Sequence, residues 1–381
     1  MDSVSLLSPS LDFNKEKDHN GGLFFDSSLL QKQAKIPKQF IWPQTERPNA
    51  LPEELKTPII NLEEFFRGDE VSTQHVVELI RDACSAHGFF QVINHGVDIS
   101  VRQAIFELVD RFFKLPLDRK LRARRRPGCT WGYTGAHTDR FSSRLPWKET
   151  LSFVYNDGGD EELLSMLGKD FEEIGKVYKT YCKSMFELAL SIMEILAMSQ
   201  GLTRERYREF FEDGSCIVRC NYYPPCQEPE LALGTGPHCD PTALTILQQD
   251  QVRGLEVFAE GKWQSVSPVR DALVINIGDT FMALCNGRYR SCLHRAVVNP
   301  HRERKSLAFF LCPKGDRIVK PPLDLSFDSD SGLMERKYPD FKWADLLEFT
   351  QRCYRADTRT LQSFSDWIQS KERMSHKLEG K

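Results

Sequence analysis

The 381-residue sequence lacks any hydrophobic run long enough to span a membrane, and it has no marked excess of either charge. The formal net charge of −3 gives no general attraction to nucleic acid or to an anionic membrane surface. The first residues lack a basic stretch followed by an apolar one, and Asp12, Glu16 and Asp18 disfavour an organelle transit peptide. We therefore expect a cytoplasmic protein with no nucleic-acid, membrane or obligate protein partner.

The sequence also lacks a CxxC pair, although it contains 11 cysteines. Their number is odd, and several lie inside apolar runs, such as Cys285 in TFMALC and Cys312 in LAFFLC. Buried, reduced thiols explain this pattern better than a disulfide framework or a zinc site. The fold must therefore be stabilised by a hydrophobic core.

The distribution of apolar residues predicts four regions within one compact unit. Residues 1–50 show little periodicity and are predicted to be a flexible arm, whose end at Phe40, Ile41 and Trp42 packs onto the protein. Residues 51–214 alternate strand-like and helix-like segments. Ser100 is predicted to cap one of the helices, and a long helical stretch is predicted over residues 161–200. Residues 215–320 contain seven short β-rich segments separated by turn residues, and residues 321–381 return to helical patterns. The prediction is a mixed α/β fold with a jelly-roll (double-stranded β-helix) core flanked by helices at both ends.

The segment GTGPHCDP places two possible metal ligands, His238 and Asp240, two residues apart. In a strand such residues project from the same face, about 6.5–7 Å apart, so both could reach one ion while Cys239 points away. His294 begins a later β-rich segment, HRAVV, and could supply a third ligand. Two imidazoles and one carboxylate leave further positions open on iron(II), as in non-haem iron oxygenases. The simpler alternative is a chance HxD and an ordinary histidine at the start of a strand.

Two more polar pairs follow the same two-residue spacing and weigh against that alternative. Arg304 and Ser306 share one face of the segment RKSLAFFL, and an arginine fork with a hydroxyl suits the carboxylate of an organic diacid. Asn221 and Tyr223 share one face of the segment IVRCNYY. Unpartnered buried polar groups cost roughly 1–3 kcal/mol each, so three inward-facing pairs indicate a site.

The segments NYYPPC, HCD, the late histidine and RKS, in this order, resemble the plant 2-oxoglutarate/iron(II)-dependent dioxygenases. TPIINL followed by HGFFQVINHGV is similar to the N-terminal region of that family. The resemblance implies iron(II) held by His238, Asp240 and His294. It implies a 2-oxoglutarate co-substrate held by Arg304 and Ser306, supported by Asn221 and Tyr223, with O2 consumed and ascorbate as reductant.

Longer segments, above all LPWKET at 145–150, narrow the resemblance to the gibberellin 20-oxidases. These enzymes oxidise carbon-20 of gibberellin precursors from methyl to alcohol to aldehyde and then remove it. Each step is coupled to oxidative decarboxylation of 2-oxoglutarate to succinate and CO2. Two alternatives remain: a related dioxygenase acting on another gibberellin position or on a flavonoid, and a jelly-roll binding module with an inert metal.

A diterpenoid acid substrate requires aromatic walls and cations, and Tyr133, Arg140, Trp147 and Lys148 supply those residue types. We expect these four residues to line the substrate pocket. The alternative is that the Pro-Trp pair of LPWKET only braces a loop.

Overall fold

The computed structural model describes residues 25–48, 52–126, 129–138, 144–155, 172–325, 327–328, 332–333, 335–352 and 360–379. The helices of these residues are α1 Ser27–Leu30, α2 Leu62–Phe66, α3 Glu70–Ala86, α4 Ile99–Phe113, α5 Leu117–Lys120, α6 Glu172–Met198, α7 Glu205–Phe211, α8 Asp279–Leu284, α9 Trp343–Arg352 and α10 Thr360–Glu379. Short 3₁₀ turns cover Lys38–Phe40, Gln44–Glu46, Leu121–Ala123 and Leu323–Leu325. None of these helices is long and apolar enough to cross a membrane.

The strands are β1 Glu53–Glu54, β2 Ile59–Asn61, β3 Phe89–Ile93, β4 Gly132–Gly135, β5 Glu149–Tyr155, β6 Ser215–Tyr223, β7 Thr235–His238, β8 Leu244–Gln249, β9 Leu255–Ala259, β10 Lys262–Val266, β11 Leu273–Ile277, β12 His294–Ala296, β13 Arg304–Cys312, β14 Ile318–Val319, β15 Phe327–Asp328, β16 Gly332–Leu333 and β17 Phe341–Lys342. All seven β-rich segments predicted between residues 215 and 320 form strands. The mixed α/β jelly-roll fold is thus confirmed.

Two sheets form the core of the fold. An eight-stranded sheet has the order β2-β3-β11-β8-β13-β6-β5-β4, and a five-stranded sheet has the order β1-β10-β9-β12-β7. The N-terminal region supplies both edges of the larger sheet, because β2 and β3 extend one side and β4 and β5 the other. The N-terminal region is therefore built into the same sheet as the catalytic strands.

The central strands of the larger sheet are buried on both faces, and their two faces have different chemistry. On β13, Leu307, Phe309 and Leu311 belong to the main hydrophobic core, which also contains apolar residues of α3, α4 and α6. Arg304 and Ser306, on the other face, line the cavity between the sheets. Since successive strand residues alternate between faces, the helices cover one face while the opposite face is left for a site.

The N-terminal arm is packed over a longer stretch than its composition indicated. Phe25, Leu30, Ile36 and Phe40 are all buried, and they join the indole of Trp147 in a second apolar cluster. Burial of these apolar side chains repays the ordering of the arm, although their irregular spacing gave no periodic signal. Residues 1–24 lie outside the described part of the chain.

The starts of α4 and α6 can be set against the sequence. The cap of α4 is Asp98, whose carboxylate accepts a hydrogen bond from the Ser100 backbone N–H at 2.6 Å, so the prediction of Ser100 as cap is wrong. Both residue types can cap a helix, and the sequence offered them two positions apart. The long helical stretch predicted from residue 161 is described only from Glu172, as α6.

Candidate active site

His238, Asp240 and His294 lie together at the end of the five-stranded sheet. His238 ends β7 and His294 begins β12, and these two residues are direct partners in the antiparallel ladder. The Nε2 atoms of both histidines lie 3.6 Å from Oδ1 of Asp240. One ligand atom from each residue can be chosen so that all lie within 4.8 Å of one another. The structure thus brings together the three residues that the sequence predicted as metal ligands.

The hydrogen bonds of the two histidines suit metal binding. Nδ1 of His238 lies 2.9 Å from the Gly236 carbonyl oxygen, and Nδ1 of His294 lies 3.3 Å from the Cys292 carbonyl oxygen. A carbonyl oxygen can only accept, so Nδ1 donates in each pair, and Nε2 is the ring nitrogen left to bind a metal ion beside Asp240. Burial is the main cause that lowers the pKa of His238 to about 3, which keeps its ring neutral.

The carboxylate of Asp240 is held by two further side chains. Its Oδ2 accepts hydrogen bonds from Thr245 Oγ1 at 2.6 Å and from Asn276 Nδ2 at 2.9 Å. Thr245 and Asn276 face each other on the adjacent strands β8 and β11. Burial acts to raise the pKa of Asp240, but the two histidines and these two hydrogen bonds outweigh it and keep that pKa below its ordinary value. The other oxygen, Oδ1, therefore remains available as an anionic metal ligand beside the two histidines.

Replacing Thr245 with valine should weaken iron binding without removing a ligand. The substitution keeps the shape of the side chain but removes the hydroxyl that orients Asp240. Loss of a hydrogen bond to a metal ligand lowers metal affinity about ten-fold or more. Titration of the metal-free protein with iron(II) or manganese(II) measures this affinity directly. Thr350→Val is a matched control, because it removes a threonine hydroxyl that donates to the Leu347 carbonyl at 2.8 Å and does not contact Asp240. It should leave the affinity for the metal unchanged.

The second predicted polar group lies on the larger sheet, facing the metal ligands across the cavity. Arg304 pairs with Tyr223, and Ser306 pairs with Asn221, in the ladder between β13 and β6. Nη2 of Arg304 donates to Gln249 Oε1 at 2.8 Å, its Nε donates to the Val252 carbonyl at 3.2 Å, and its Cζ lies 5.2 Å from the centre of the Tyr223 ring. These contacts fix the guanidinium while leaving N–H groups for a ligand.

The three metal ligands and the polar residues around Arg304 line one cavity of about 550 Å³ between the sheets. Its walls include the metal ligands together with Asn221, Tyr223, Arg304 and Ser306. Two imidazole nitrogens and one carboxylate oxygen suit iron(II), and the buried guanidinium beside a hydroxyl suits the distal carboxylate of 2-oxoglutarate. Gly254 makes room for Arg304, because a Cβ at that position would lie 2.7 Å from Arg304 Cδ. The residues present therefore fit both groups.

The structure describes three of the four residues predicted to line the substrate pocket, Tyr133, Trp147 and Lys148. Only Lys148 lines the cavity; its Nζ donates to Asn221 Oδ1 at 3.2 Å, so it lies at the end near Arg304. Burial, followed by the nearby cations of Arg219 and Arg125, holds the pKa of Lys148 well below its ordinary value. Arg140 lies outside the described residues.

Tyr133 and Trp147 do not line the cavity, which differs from the expectation. The Tyr133 hydroxyl donates to Glu149 Oε2 at 2.8 Å, and Lys120 Nζ donates to the same oxygen at 2.6 Å. Ser27 of the arm donates to Glu149 Oε1 at 2.6 Å. Glu149 thus ties the arm and the basic segment 119–126 to the larger sheet, and Tyr133 belongs to that buried network.

Trp147 anchors the arm instead of walling the cavity. Its ring is fully buried and makes edge contacts with Phe25 and Phe40, at centroid distances of 5.8 and 5.0 Å. Its Nε1 lies 3.2 Å from the Pro224 carbonyl oxygen and 3.3 Å from the Pro225 carbonyl oxygen. These contacts support the alternative in which the Pro-Trp pair of LPWKET braces the surrounding structure.

Trp147→Phe should therefore lower stability and leave catalytic coupling unchanged. Phenylalanine keeps most of the aromatic packing but loses the indole N–H, which leaves buried carbonyl oxygens with one donor fewer. We expect the free energy of unfolding to fall by about 1–3 kcal/mol. A denaturant titration measures this change, and the ratio of succinate to oxidised product measured in parallel should equal that of the unsubstituted protein.

Some residues of the site escaped sequence reasoning. Trp42, Arg219, Arg295 and the α9 residues Trp343 and Leu347 line the cavity. Asn276 had a visible signal, a polar residue inside the apolar run ALVINIG, whereas Trp42 was noted only as part of the packed end of the arm. Only the fold brings these distant segments to one cavity.

Known proteins resemble the chain in sequence and in fold. Residues 214–313 match the 2OG-Fe(II) oxygenase superfamily, and residues 57–170 match the family described as non-haem dioxygenase in morphine synthesis N-terminal. Gibberellin 20 oxidase 2 of Oryza sativa subsp. indica is 55% identical over 344 residues, which cover 89% of this chain and 87% of that protein. Gibberellin 20 oxidase 3 of Arabidopsis thaliana is 51% identical over 369 residues, which cover 94% and 96%. The crystal structure of JOX2 in complex with 2OG, Fe, and JA is similar with a TM-score of 0.77 and 30% identity, over 90% of this chain and 98% of that one.

Proposed function

We propose that this chain, which belongs to the 2OG-Fe(II) oxygenase superfamily and within it to the gibberellin 20-oxidase family, oxidises carbon-20 of gibberellin precursors. The carbon passes from methyl to alcohol to aldehyde and is then lost, in gibberellin biosynthesis. One observation carries the proposal: the metal ligands and Arg304 open into a single cavity, in a chain that matches gibberellin 20-oxidases along about nine-tenths of its length. The reaction requires Fe(II), 2-oxoglutarate and O2, with ascorbate as the reductant.

We assign the binding of iron to His238, Asp240 and His294, and the binding of 2-oxoglutarate to the residues near Arg304. Iron(II) and 2-oxoglutarate, when bound, couple decarboxylation to succinate and CO2 with oxidation of a substrate C–H bond. The protein supplies orientation and exclusion of bulk water. Arg304 and Ser306 would hold the distal carboxylate, and Asn221 and Tyr223, their partners on β6, would support the co-substrate. Thr245 and Asn276 keep the Asp240 carboxylate turned toward the two histidines.

The remaining part of the cavity fits a rigid diterpenoid acid. Apolar side chains from both sheets and from α9, among them Phe310, Leu255, Trp343 and Leu347, supply walls for hydrocarbon rings. Several arginines in the same cavity supply positive charge for a carboxylate. The whole cavity, including the metal and 2-oxoglutarate end, has a volume of about 550 Å³, which is within the range of small-molecule pockets.

An incubation with a labelled precursor that carries carbon-20 as a methyl group tests the proposal. With iron(II), ascorbate and 2-oxoglutarate, we expect the alcohol, the aldehyde and finally a nineteen-carbon product, with succinate formed alongside them. A product hydroxylated at another carbon would identify a related gibberellin oxygenase instead. No reaction with the gibberellin, but turnover of a flavonoid, would refute the proposed substrate.

We also propose that the protein acts in the cytoplasm. No disulfide bond joins the ten cysteines in the described part of the chain, and most of these cysteines are buried. Such thiols are typical of a reducing compartment. Fractionation of cells that contain the tagged protein tests this proposal, and recovery in a membrane or organelle fraction would contradict it.

A further inference from the structure

Trp42 lines the active-site cavity and carries a buried indole N–H without an acceptor in the described part of the chain. Trp42 is 4% exposed and lines the cavity, and its Nε1 has no hydrogen-bond partner among the described residues. Trp147, by contrast, is a buried tryptophan whose Nε1 reaches backbone carbonyls. An unpaired buried N–H costs free energy, so a protein that retains one beside a cavity has a use for it when a ligand binds.

Trp42 lies against the strand that carries the first metal ligand. A Cβ at Gly236 would lie 2.3 Å from Trp42 Cη2, so the ring occupies the space that a side chain at position 236 would fill. Gly236, His238 and Trp42 all line the same cavity. The indole thus lies on the metal-facing side of this strand.

Several contacts fix the arm around Trp42. The Trp42 backbone N–H donates to the Leu231 carbonyl at 2.9 Å, and Arg47 Nε donates to the Trp42 carbonyl at 2.8 Å. Arg295, the residue after the ligand His294, donates from Nη1 to the Glu46 carbonyl at 2.9 Å. The Glu46 carboxylate lies 3.2 Å from Arg144 Nη1, and both side chains line the cavity. These bonds fix the backbone on either side of the indole.

We propose that the Trp42 indole N–H donates a hydrogen bond to a carboxylate oxygen of the diterpenoid acid, which makes the N-terminal arm part of the substrate site. The inference rests on the proposed function. The co-substrate has its own donors in Arg304 and Ser306 on the opposite sheet, whereas the arm enters the cavity from outside. The indole face covers apolar rings while its N–H orients the acid, and this orientation decides which carbon faces the metal.

Trp42→Phe tests the hydrogen bond because it removes the donor and keeps an aromatic ring in the arm; the ring edge over Gly236 is lost with it, as the ring edge of Trp147 is in the control below. Binding of the twenty-carbon precursor is measured by calorimetry on full-length protein loaded with manganese(II) and 2-oxoglutarate, which prevents turnover. Loss of a hydrogen bond to a charged group should raise the dissociation constant about ten-fold or more. In the iron-loaded enzyme, the ratio of succinate to oxidised gibberellin should rise, because a badly seated substrate uncouples the reaction.

Trp147→Phe is the matched control, since it also removes one buried indole N–H but outside the cavity. It should lower the melting temperature while the dissociation constant for the precursor stays within about two-fold, below what a hydrogen bond to a charged group contributes. Unchanged precursor binding by Trp42→Phe would overturn the inference and leave the proposed function standing. Weakened 2-oxoglutarate binding with unchanged precursor binding would also overturn it. Failure of the unsubstituted protein to bind any gibberellin precursor would refute the proposed function itself.

Discussion

Asp240→Ala and His238→Ala should each abolish iron binding and, with it, both succinate formation and gibberellin oxidation. Within the described residues, these two and His294 are the only group of three or more His, Cys, Asp or Glu side chains that could hold a metal ion. A site with three protein ligands has no spare donor, and removal of Asp240 also leaves the buried Thr245 hydroxyl and Asn276 amide without their acceptor. Metal content after equilibration with iron(II) and succinate formation are the two measurements.

A histidine far from the cavity provides the control for this prediction. His75 is exposed on α3, so His75→Ala should keep the metal content, the succinate formation and the gibberellin oxidation of the unsubstituted protein. A melting curve separates loss of the metal from loss of the fold, because the apoprotein of each ligand variant should still unfold in one cooperative transition. Near-normal turnover by Asp240→Ala would refute the assignment of the metal ligands.

The sequence predicted the strands and their inward faces because both follow from a local pattern. On β13 the alternation of Arg304 and Ser306 with Leu307 and Phe309 states which residues share a face. Once two faces differ in polarity, only one of them can join the hydrophobic core. The metal ligands and the 2-oxoglutarate residues could therefore be proposed as pairs before their distances were known.

The roles within LPWKET could not be read in the same way. Pro146 and Lys148 line the cavity, whereas Trp147 and Glu149 contact the arm and the basic segment. Successive residues of this segment alternate between its two faces. Both faces are buried, and each carries polar as well as apolar residues, so polarity does not tell the faces apart. Which side meets the cavity depends on the arm, more than a hundred positions away in the chain. No spacing within the segment contains that information.

Trp42 and the partners of Asp240 show the same limit. The arm has no period to predict its path, because a few irregularly spaced aromatic residues hold it to the surface of the two sheets. Thr245 and Asn276 meet only through the register of β8 and β11. Sequence reasoning finds residues that act in pairs along one strand, and it misses residues whose function depends on pairing between strands.

Arg304→Met should raise the KM for 2-oxoglutarate about a hundred-fold or more, with a much smaller effect on gibberellin binding. Arg304 is 2% exposed, and Gln249 and Val252 hold it in place, so its guanidinium is already oriented for a carboxylate. Removing one partner of a buried, hydrogen-bonded charge pair costs about 2–5 kcal/mol, since the other charge is left without a counter-ion. Methionine fills much of the same volume, so the strand should remain packed.

Arg304→Lys and Lys305→Met separate the possible causes of that loss. Lysine keeps the charge but not the planar fork, so we expect an intermediate rise in KM of about five- to thirty-fold, from a loss of roughly 1–2 kcal/mol. Lys305 is the next residue along β13, and its Nζ contacts Asp110 at 2.5 Å and Glu303 at 2.9 Å outside the cavity. Lys305→Met should leave the KM for 2-oxoglutarate unchanged, although it removes a cation from the same strand.

Initial rates at varied 2-oxoglutarate and varied gibberellin give both constants for each variant. If Arg304→Met raised the KM for gibberellin and spared that for 2-oxoglutarate, Arg304 would belong to the substrate site and the orientation of the two ligands would have to be reversed.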